Sequence, residues 1–534
     1  MADPLIGMLD EATKRMQALY GENREIVDGA FDASCAVRCV NGTFVGRRVD
    51  GVLAFKGIPF VGAQPEGELR WKAPVDYVAD DGVYEAYYFG RIPRQVGGVG
   101  QTGSLYPQGE DCLWLNVWRA DDGPDEGKPV MVWIHGGAYE IGSTAEPREE
   151  GCAFVRENPG VILVSIEYRL NALGFLHLSH LPDGAAYPDA QNLGLLDQLQ
   201  ALKWVHENIA GFGGDPDCVT IFGQSAGGGS VSLLPLTPGA HTYFQRVIAQ
   251  SGSPCFSRST EQAIAATDRL LEALGAHTVA DLMAMDVADI VAKASAVLGM
   301  PGTTPERDGS LLPKEAFDAY LEGAAAGFDI MQGCTKDECS YFVFGAGPDG
   351  FVPWAEKCKA QKFEQFTPEE RALGEAYFES REGAYYDRLS RVLDQYWFNA
   401  PLIRTAENQV KGGGRTFVYY FRVESAVPYV KSGHAVELSE LFNHAEETLV
   451  TGREFDKAFS RTMRAMWVQF ATCGDPSLPA GVAPGGRAIE WPPYDLDDKY
   501  VMVFDEFDIH VAKESEVGIV DWDRTYFMTK YYVS

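Results

Sequence analysis

The sequence predicts an α/β fold built on a large, mostly parallel central sheet, with helices on both faces and helical insertions over the top. Three observations carry that prediction. Short runs rich in apolar and β-branched residues recur in the middle of the chain. A stretch with helical spacing separates two of them. The 534 residues, 46% hydrophobic and 23% charged, also hold enough apolar material for a large core. Length alone suggests several domains, yet one sheet with large insertions accounts for it equally well.

Residues 1–20 read as a short amphipathic helix with Leu5, Leu9, Met16 and Leu19 toward its buried side. Asp10, Glu11, Lys14 and Arg15 interrupt the apolar stretch that a signal peptide needs. We therefore expect a helical N-terminal extension over residues 1–30 and a single domain over 31–534. Residues 130–134, 161–166 and 219–222 are nearly continuous apolar runs suited to central strands covered on both faces. Residues 195–209 have helical spacing, and a Gly-Phe-Gly-Gly-Asp turn at 211–215 leads to the next strand. Strand, helix and strand in succession imply parallel pairing with right-handed crossovers. Beyond Cys255 the pattern is mostly helical to about Gly327, and residues 416–423 form a late strand. The helical insertions are expected around 255–415.

Charge narrows the function. Forty-five basic and 76 acidic residues give a net charge of −31, which repels nucleic-acid phosphates and anionic membrane surfaces. No run is long and apolar enough to span a bilayer, and residues 531–534 carry no retention or prenylation signal, so the expected location is the cytoplasm. Ten cysteines in so long a chain do not make a disulfide scaffold. Cys35 with Cys39, and Cys334 with Cys339, lack the paired spacing of a zinc site, so neither a metal nor an organic cofactor is expected.

The strongest motif is Gly223-Gln224-Ser225-Ala226-Gly227, directly after a strand and before a helix. A sharp turn there lifts the serine hydroxyl clear of the sheet, and a side chain at 223 or 227 would collide with neighbouring backbone. The helix that follows aims its N-terminal amides at developing negative charge. Well upstream, His135-Gly136-Gly137-Ala138 follows another strand, and such a turn can direct backbone N–H groups at an oxyanion, with the Ala226 N–H as a further donor. Each motif alone also fits an ordinary Gly-rich turn. Both, in this order, point to acyl transfer through a serine.

At this point the sequence resembles the type-B carboxylesterase and cholinesterase family of α/β-hydrolases. The resemblance runs through residues 55–60 (FKGIPF), 69–74 (LRWKAP), 110–117 (EDCLWLNV), 192–198 (NLGLLDQ), 212–216 (FGGDP), 470–476 (FATCGDP) and 491–494 (WPPY). It implies the α/β-hydrolase fold, a serine nucleophile at Ser225 and hydrolysis of a small-molecule carboxylic ester. It also implies that the oxyanion donors fall on Gly137 and Ala138, the latter replacing a family glycine.

A serine hydroxyl needs a base. Of nine histidines, His241, His277, His434, His444 and His510 follow Ser225, and composition cannot choose among them. The family's histidine loop resembles residues 432–438 (SGHAVEL), which implies His434, with His444 as the competitor. Residues 333–342 (GCTKDECSYF) resemble the segment bearing the triad acid, which implies Glu338, with Asp337 as the alternative. Ser251 matches a serine that supports that acid.

Some positions depart from the family. No cysteine lies between residues 40 and 111 to pair with Cys112, Cys255 has no evident mate, and Ala400 stands where relatives often carry cysteine, all consistent with a reducing compartment. Residues 100–104 lack the tryptophan of a choline site, and Gln224 replaces an acidic residue. Residues 297–301 are expected to border the acyl pocket without bulky aromatics, which predicts tolerance of larger acyl groups. Two other readings stand beside the esterase: a non-catalytic binding protein on the same fold, and an amidase or acyltransferase using the same triad.

Overall fold

Apolar runs that face both ways need cover on both faces, and the chain supplies it by building eleven strands into one sheet. The structure, a computed structural model, describes residues 13–14, 16–97, 102–123, 127–299, 302–506 and 508–532. In chain order the strands are β1 (Arg47–Val49), β2 (Val52–Pro59), β3 (Trp114–Ala120), β4 (Lys128–Ile134), β5 (Ile162–Ile166), β6 (Gly214–Gln224), β7 (Arg246–Gln250), β8 (Asp329–Thr335), β9 (Arg415–Phe421), β10 (Tyr500–Asp505) and β11 (Asp508–Lys513). Across the sheet they run β11-β10-β9-β8-β7-β6-β4-β5-β3-β2-β1. The strands from β10 to β5 are mutually parallel. β11 at one edge, and the pairs β5–β3, β3–β2 and β2–β1 at the other, are antiparallel.

Register puts like residues on one face. Val164, Val132, Ile221, Val247 and Ile330 form a row that packs into one core. The next residues along, Trp133, Phe222, Ile248, Met331 and Phe417, form a row that points the opposite way into a second core. Burying each such large side chain contributes roughly 1.5–3 kcal/mol.

Helices around the sheet include α1 (Leu193–Asn208), α2 (Ala226–Leu233), α3 (Thr260–Leu274), α4 (Val287–Leu298), α5 (Ser340–Phe363) and α6 (Lys457–Cys473), of which α2 and α5 line the site. α1 matches the helix predicted over 195–209 to within two residues. The turn expected at 211–215 is shorter: a 3₁₀ turn over Ile209–Phe212 ends at Gly213 (φ 87°), and Gly214 already pairs with Lys128. α3 is closed by a capping box between Ser259 and Gln262, and by Gly275 in the left-handed region.

The expected insertion over 255–415 is not one helical block. β8 lies within it, separating helices over residues 260–321 from those over 340–411. Gln332 and Gly333 interrupt its apolar pattern; Gln332 is nevertheless buried and donates to Thr416 Oγ1 at 3.0 Å. The N-terminal extension is helical at residues 13–14 and 16–18, as expected, but not throughout its described part. Of the expected buried side, Leu5 and Leu9 lie outside the described residues, Met16 is buried and Leu19 is exposed. Downstream, Ile26 N–H donates to Val83 O and Glu25 bridges Tyr84, so this part is extended rather than helical. All ten cysteines are free thiols. Among the described residues no helix is long and apolar enough to cross a membrane.

The motif segments join one another. Arg70 grips the Glu110 carboxylate with Nε and Nη2, and Trp71 Nε1 donates to Ala172 O. Arg169 clamps the fully buried Asp197 of α1 through Nε (2.8 Å), Nη2 (2.6 Å) and its backbone N–H (3.0 Å). Removing one partner leaves a buried charge alone. Asp197→Ala is therefore expected to cost about 3–5 kcal/mol of stability, measured as a lowered denaturant midpoint of the purified protein.

Candidate active site

β6 ends at Gln224 and α2 begins at Ala226, so Ser225 carries the whole reversal, with φ 60° and ψ −121°. That strained conformation is held by Ser225 N–H donating to Gln250 O, and by Ser225 O accepting from Gly229 N–H, both at 2.8 Å. The glycines around it are required by close approach. A Cβ at Gly223 would lie 2.6 Å from Ile134 O, and one at Gly227 would lie 2.0 Å from that same carbonyl oxygen.

The turn after β4 lies against this elbow: a Cβ at Gly136 would meet Ser225 Cβ at 3.0 Å. Gly137 and Ala138 both have positive φ (116° and 57°). Among the described residues, no hydrogen bond uses the N–H of Gly137, Ala138 or Ala226. All three residues line the same cavity as Ser225. Behind the turn His135 is buried against Glu167, Nε2 to Oε2 3.4 Å. Burial opposes the charged imidazole, but Glu167 prevails and raises its pKa.

β8 and β9 deliver the other two groups. Glu338 follows β8 and is fully buried. Its Oε1 accepts from Ser251 Oγ (2.6 Å) and Thr335 N–H (2.7 Å), and its Oε2 meets His434 Nδ1 at 2.5 Å. Ser251 and Glu338, singled out separately in the sequence, are thus in direct contact. Asp337 points elsewhere and pairs with Arg391 at 2.5 Å. His444 is also engaged away from the elbow, with Glu446 at 3.0 Å and Glu150 O at 2.7 Å.

His434 Nε2 meets the Gln224 side-chain amide at 3.0 Å. With Nδ1–H given to Glu338, Nε2 holds the lone pair and the Gln224 N–H donates to it. The sequence did not reveal this contact, nor that of Glu437, which accepts from Gln250 Nε2 at 3.2 Å. Burial, and next the neighbouring Glu338, push the Glu437 carboxyl up to about 7.

Ser225 and His434 open into one cavity of about 390 Å³ walled by Phe256, Tyr341, Phe342, Trp354, Trp397 and Phe398. The expected acyl-pocket border is corrected here. Val297, Leu298 and Gly299 do not line the cavity, Met300 and Pro301 lie outside the described residues, and the aromatic walls come mostly from α5 and residues 397–398. A serine hydroxyl, an imidazole held by a carboxylate and three unspent N–H groups around one cavity can form and break an acyl-serine once the Gln224 amide leaves Nε2 to the serine.

Residues 33–516 match the model of the Carboxylesterase family. The chain belongs to the carboxylesterase family. It is 35% identical over 498 residues to a para-nitrobenzyl esterase of Bacillus subtilis, covering 89% of this chain and 96% of that protein. It is 29% identical to an acetylcholinesterase of Leptinotarsa decemlineata, covering 88% and 81%. A solved carboxylesterase of Geobacillus stearothermophilus superposes with a TM-score of 0.78 at 34% identity, covering 91% of this chain and 99% of that one. The fold is that of the α/β-hydrolases, and the protein is a hydrolase of carboxylic esters.

Proposed function

We propose that the protein is a serine carboxylesterase in which Ser225 is the nucleophile, His434 the base and Glu338 the acid. Gly137, Ala138 and Ala226 donate to the oxyanion. The observation that carries this reading is the Glu338–His434 contact of 2.5 Å in a cavity shared with the strained Ser225. The Gln224 amide turns off Nε2, and Ser225 Oγ gives that nitrogen its proton while bonding to the ester carbon. The carbonyl oxygen takes negative charge against the three N–H groups. As the tetrahedral intermediate collapses, the C–O bond to the alcohol breaks and His434 protonates the leaving oxygen. Water, deprotonated by the same imidazole, then releases the acid and restores Ser225.

The aromatic walls and the cavity volume support aryl and medium-length acyl groups, para-nitrobenzyl esters among them. Hydrolysis of p-nitrophenyl butyrate is expected to exceed that of the acetate; strict acetate preference would reverse this assignment. The test of the mechanism is mass spectrometry after treatment with an alkyl phosphonate ester. A single adduct on Ser225 with loss of turnover is expected, and labelling elsewhere would count against it. The free thiols support a reducing, cytoplasmic location.

Gln224→Glu carries a pH prediction. Activity needs the neutral imidazole, and a carboxylate at this contact favours the imidazolium. The acid limb of the kcat/KM profile should therefore move to higher pH, by about one unit. An unmoved limb would mean that residue 224 does not face the base during turnover.

A further inference from the structure

One wall of the active-site cavity is charged. Arg148, in the segment after the Gly136–Ala138 turn, is 5% exposed and is the only lysine or arginine among the described residues lining the cavity. Among the described residues no aspartate or glutamate lines it. Its Nε and Nη1 are buried and make no hydrogen bond. Glu149 Oε1 pairs with its charge at 3.6 Å from Nε, beyond hydrogen-bond reach, while Glu149 Oε2 accepts from Trp133 Nε1 at 2.8 Å.

A buried guanidinium with unmade hydrogen bonds is costly unless something completes them. Burial works against its charge, but Glu146 and Glu149 nearby outweigh that and raise its pKa, so it stays cationic. A guanidinium in the wall of a cavity that also holds the reactive serine matches a carboxylate.

We infer that Arg148 is a specificity residue that binds a carboxylate carried by the ester substrate, so that the preferred substrates are esters bearing a second, anionic group. This rests on the serine-esterase reading above. The overall field cannot supply such a preference, because a net charge of −31 repels anions. Any selectivity for a charged ester must come from a local cation.

The carboxylate can sit on the acyl or the alcohol side, and two substrate pairs separate these. Mono-p-nitrophenyl adipate against p-nitrophenyl hexanoate places it on the acyl side. p-Acetoxybenzoate against p-acetoxyacetophenone places it on the alcohol side. The full-length protein is assayed as wild type, Arg148→Met and Arg148→Lys. In one pair, the charged-to-neutral ratio of kcat/KM is expected to fall about 10- to 100-fold in Arg148→Met, chiefly through KM, with Arg148→Lys retaining part of it. The pair that responds names the side.

A wild-type measurement covers failure of the variants to fold. Adipate should inhibit hydrolysis of p-nitrophenyl hexanoate more strongly than its neutral diamide does. Unchanged ratios in both pairs, or equal inhibition by acid and diamide, overturn the anion site while leaving the esterase standing. If wild type hydrolyses neither the charged nor the neutral member of either pair, the serine-esterase reading falls and takes this inference with it.

Discussion

Replacing Ser225 by alanine is expected to lower kcat by about a million-fold, with KM little changed. The hydroxyl is the atom that becomes covalently bonded, and no neighbouring group can take its place on the elbow. The fold should not notice the change. The hydrogen bonds that hold the turn belong to the backbone of Ser225, to Gln250 O and from Gly229 N–H. Alanine suffers the same strain as serine at φ 60°, so stability is neither gained nor lost there. The aromatic walls that bind substrate also remain. What survives should be the contribution of the three N–H donors and of binding, roughly 10³- to 10⁴-fold over water. Steady-state kinetics with p-nitrophenyl esters reads this directly, and a variant within ten-fold of wild type would remove Ser225 from the nucleophile role.

The sequence could show this elbow because its chemistry is local. Glycine at 223 and 227, serine between them, an apolar run before and a helix after are all consecutive residues. The strands β4, β5 and β6 were legible for the same reason, each containing a short apolar run buried on both faces, at 130–134, 162–166 and 219–222. β8 was not, because Gln332 and Gly333 break its apolar run after Ile330 and Met331, and Gln332 is buried by pairing with Thr416 across strands. The choice of His434 and Glu338 over His444 and Asp337 needed family resemblance, since nothing in the spacing distinguishes them. Their contacts do, with Arg391 holding Asp337 and Glu150 O holding His444. Arg148 and the Gln224–His434 contact were out of reach altogether. The latter joins residues 210 apart in the chain, and the former matters only because a cavity forms beside it.

The carboxylate at 338 allows the sharpest separation of chemistry from folding. Glu338→Gln keeps the size of the side chain and its place after β8. In the wild type Oε1 receives two donors, Ser251 Oγ–H and Thr335 N–H, while Oε2 faces one, His434 Nδ1. A glutamine has one oxygen to offer, and the two donors claim it. Its NH₂ is then turned toward His434 Nδ1, which must accept rather than donate. The neutral imidazole answers by carrying its proton on Nε2, the nitrogen that should take the proton of Ser225. A correctly folded enzyme with the wrong tautomer results, and kcat is expected to drop about 10⁴-fold while KM changes little. Asp337→Asn makes the contrast. That residue serves the Arg391 ion pair, so its replacement should lower the unfolding midpoint and leave kcat within a few-fold of wild type. If the two variants exchanged these effects, the acid of the site would be Asp337, and the hydrogen bonds converging on Glu338 would be structural.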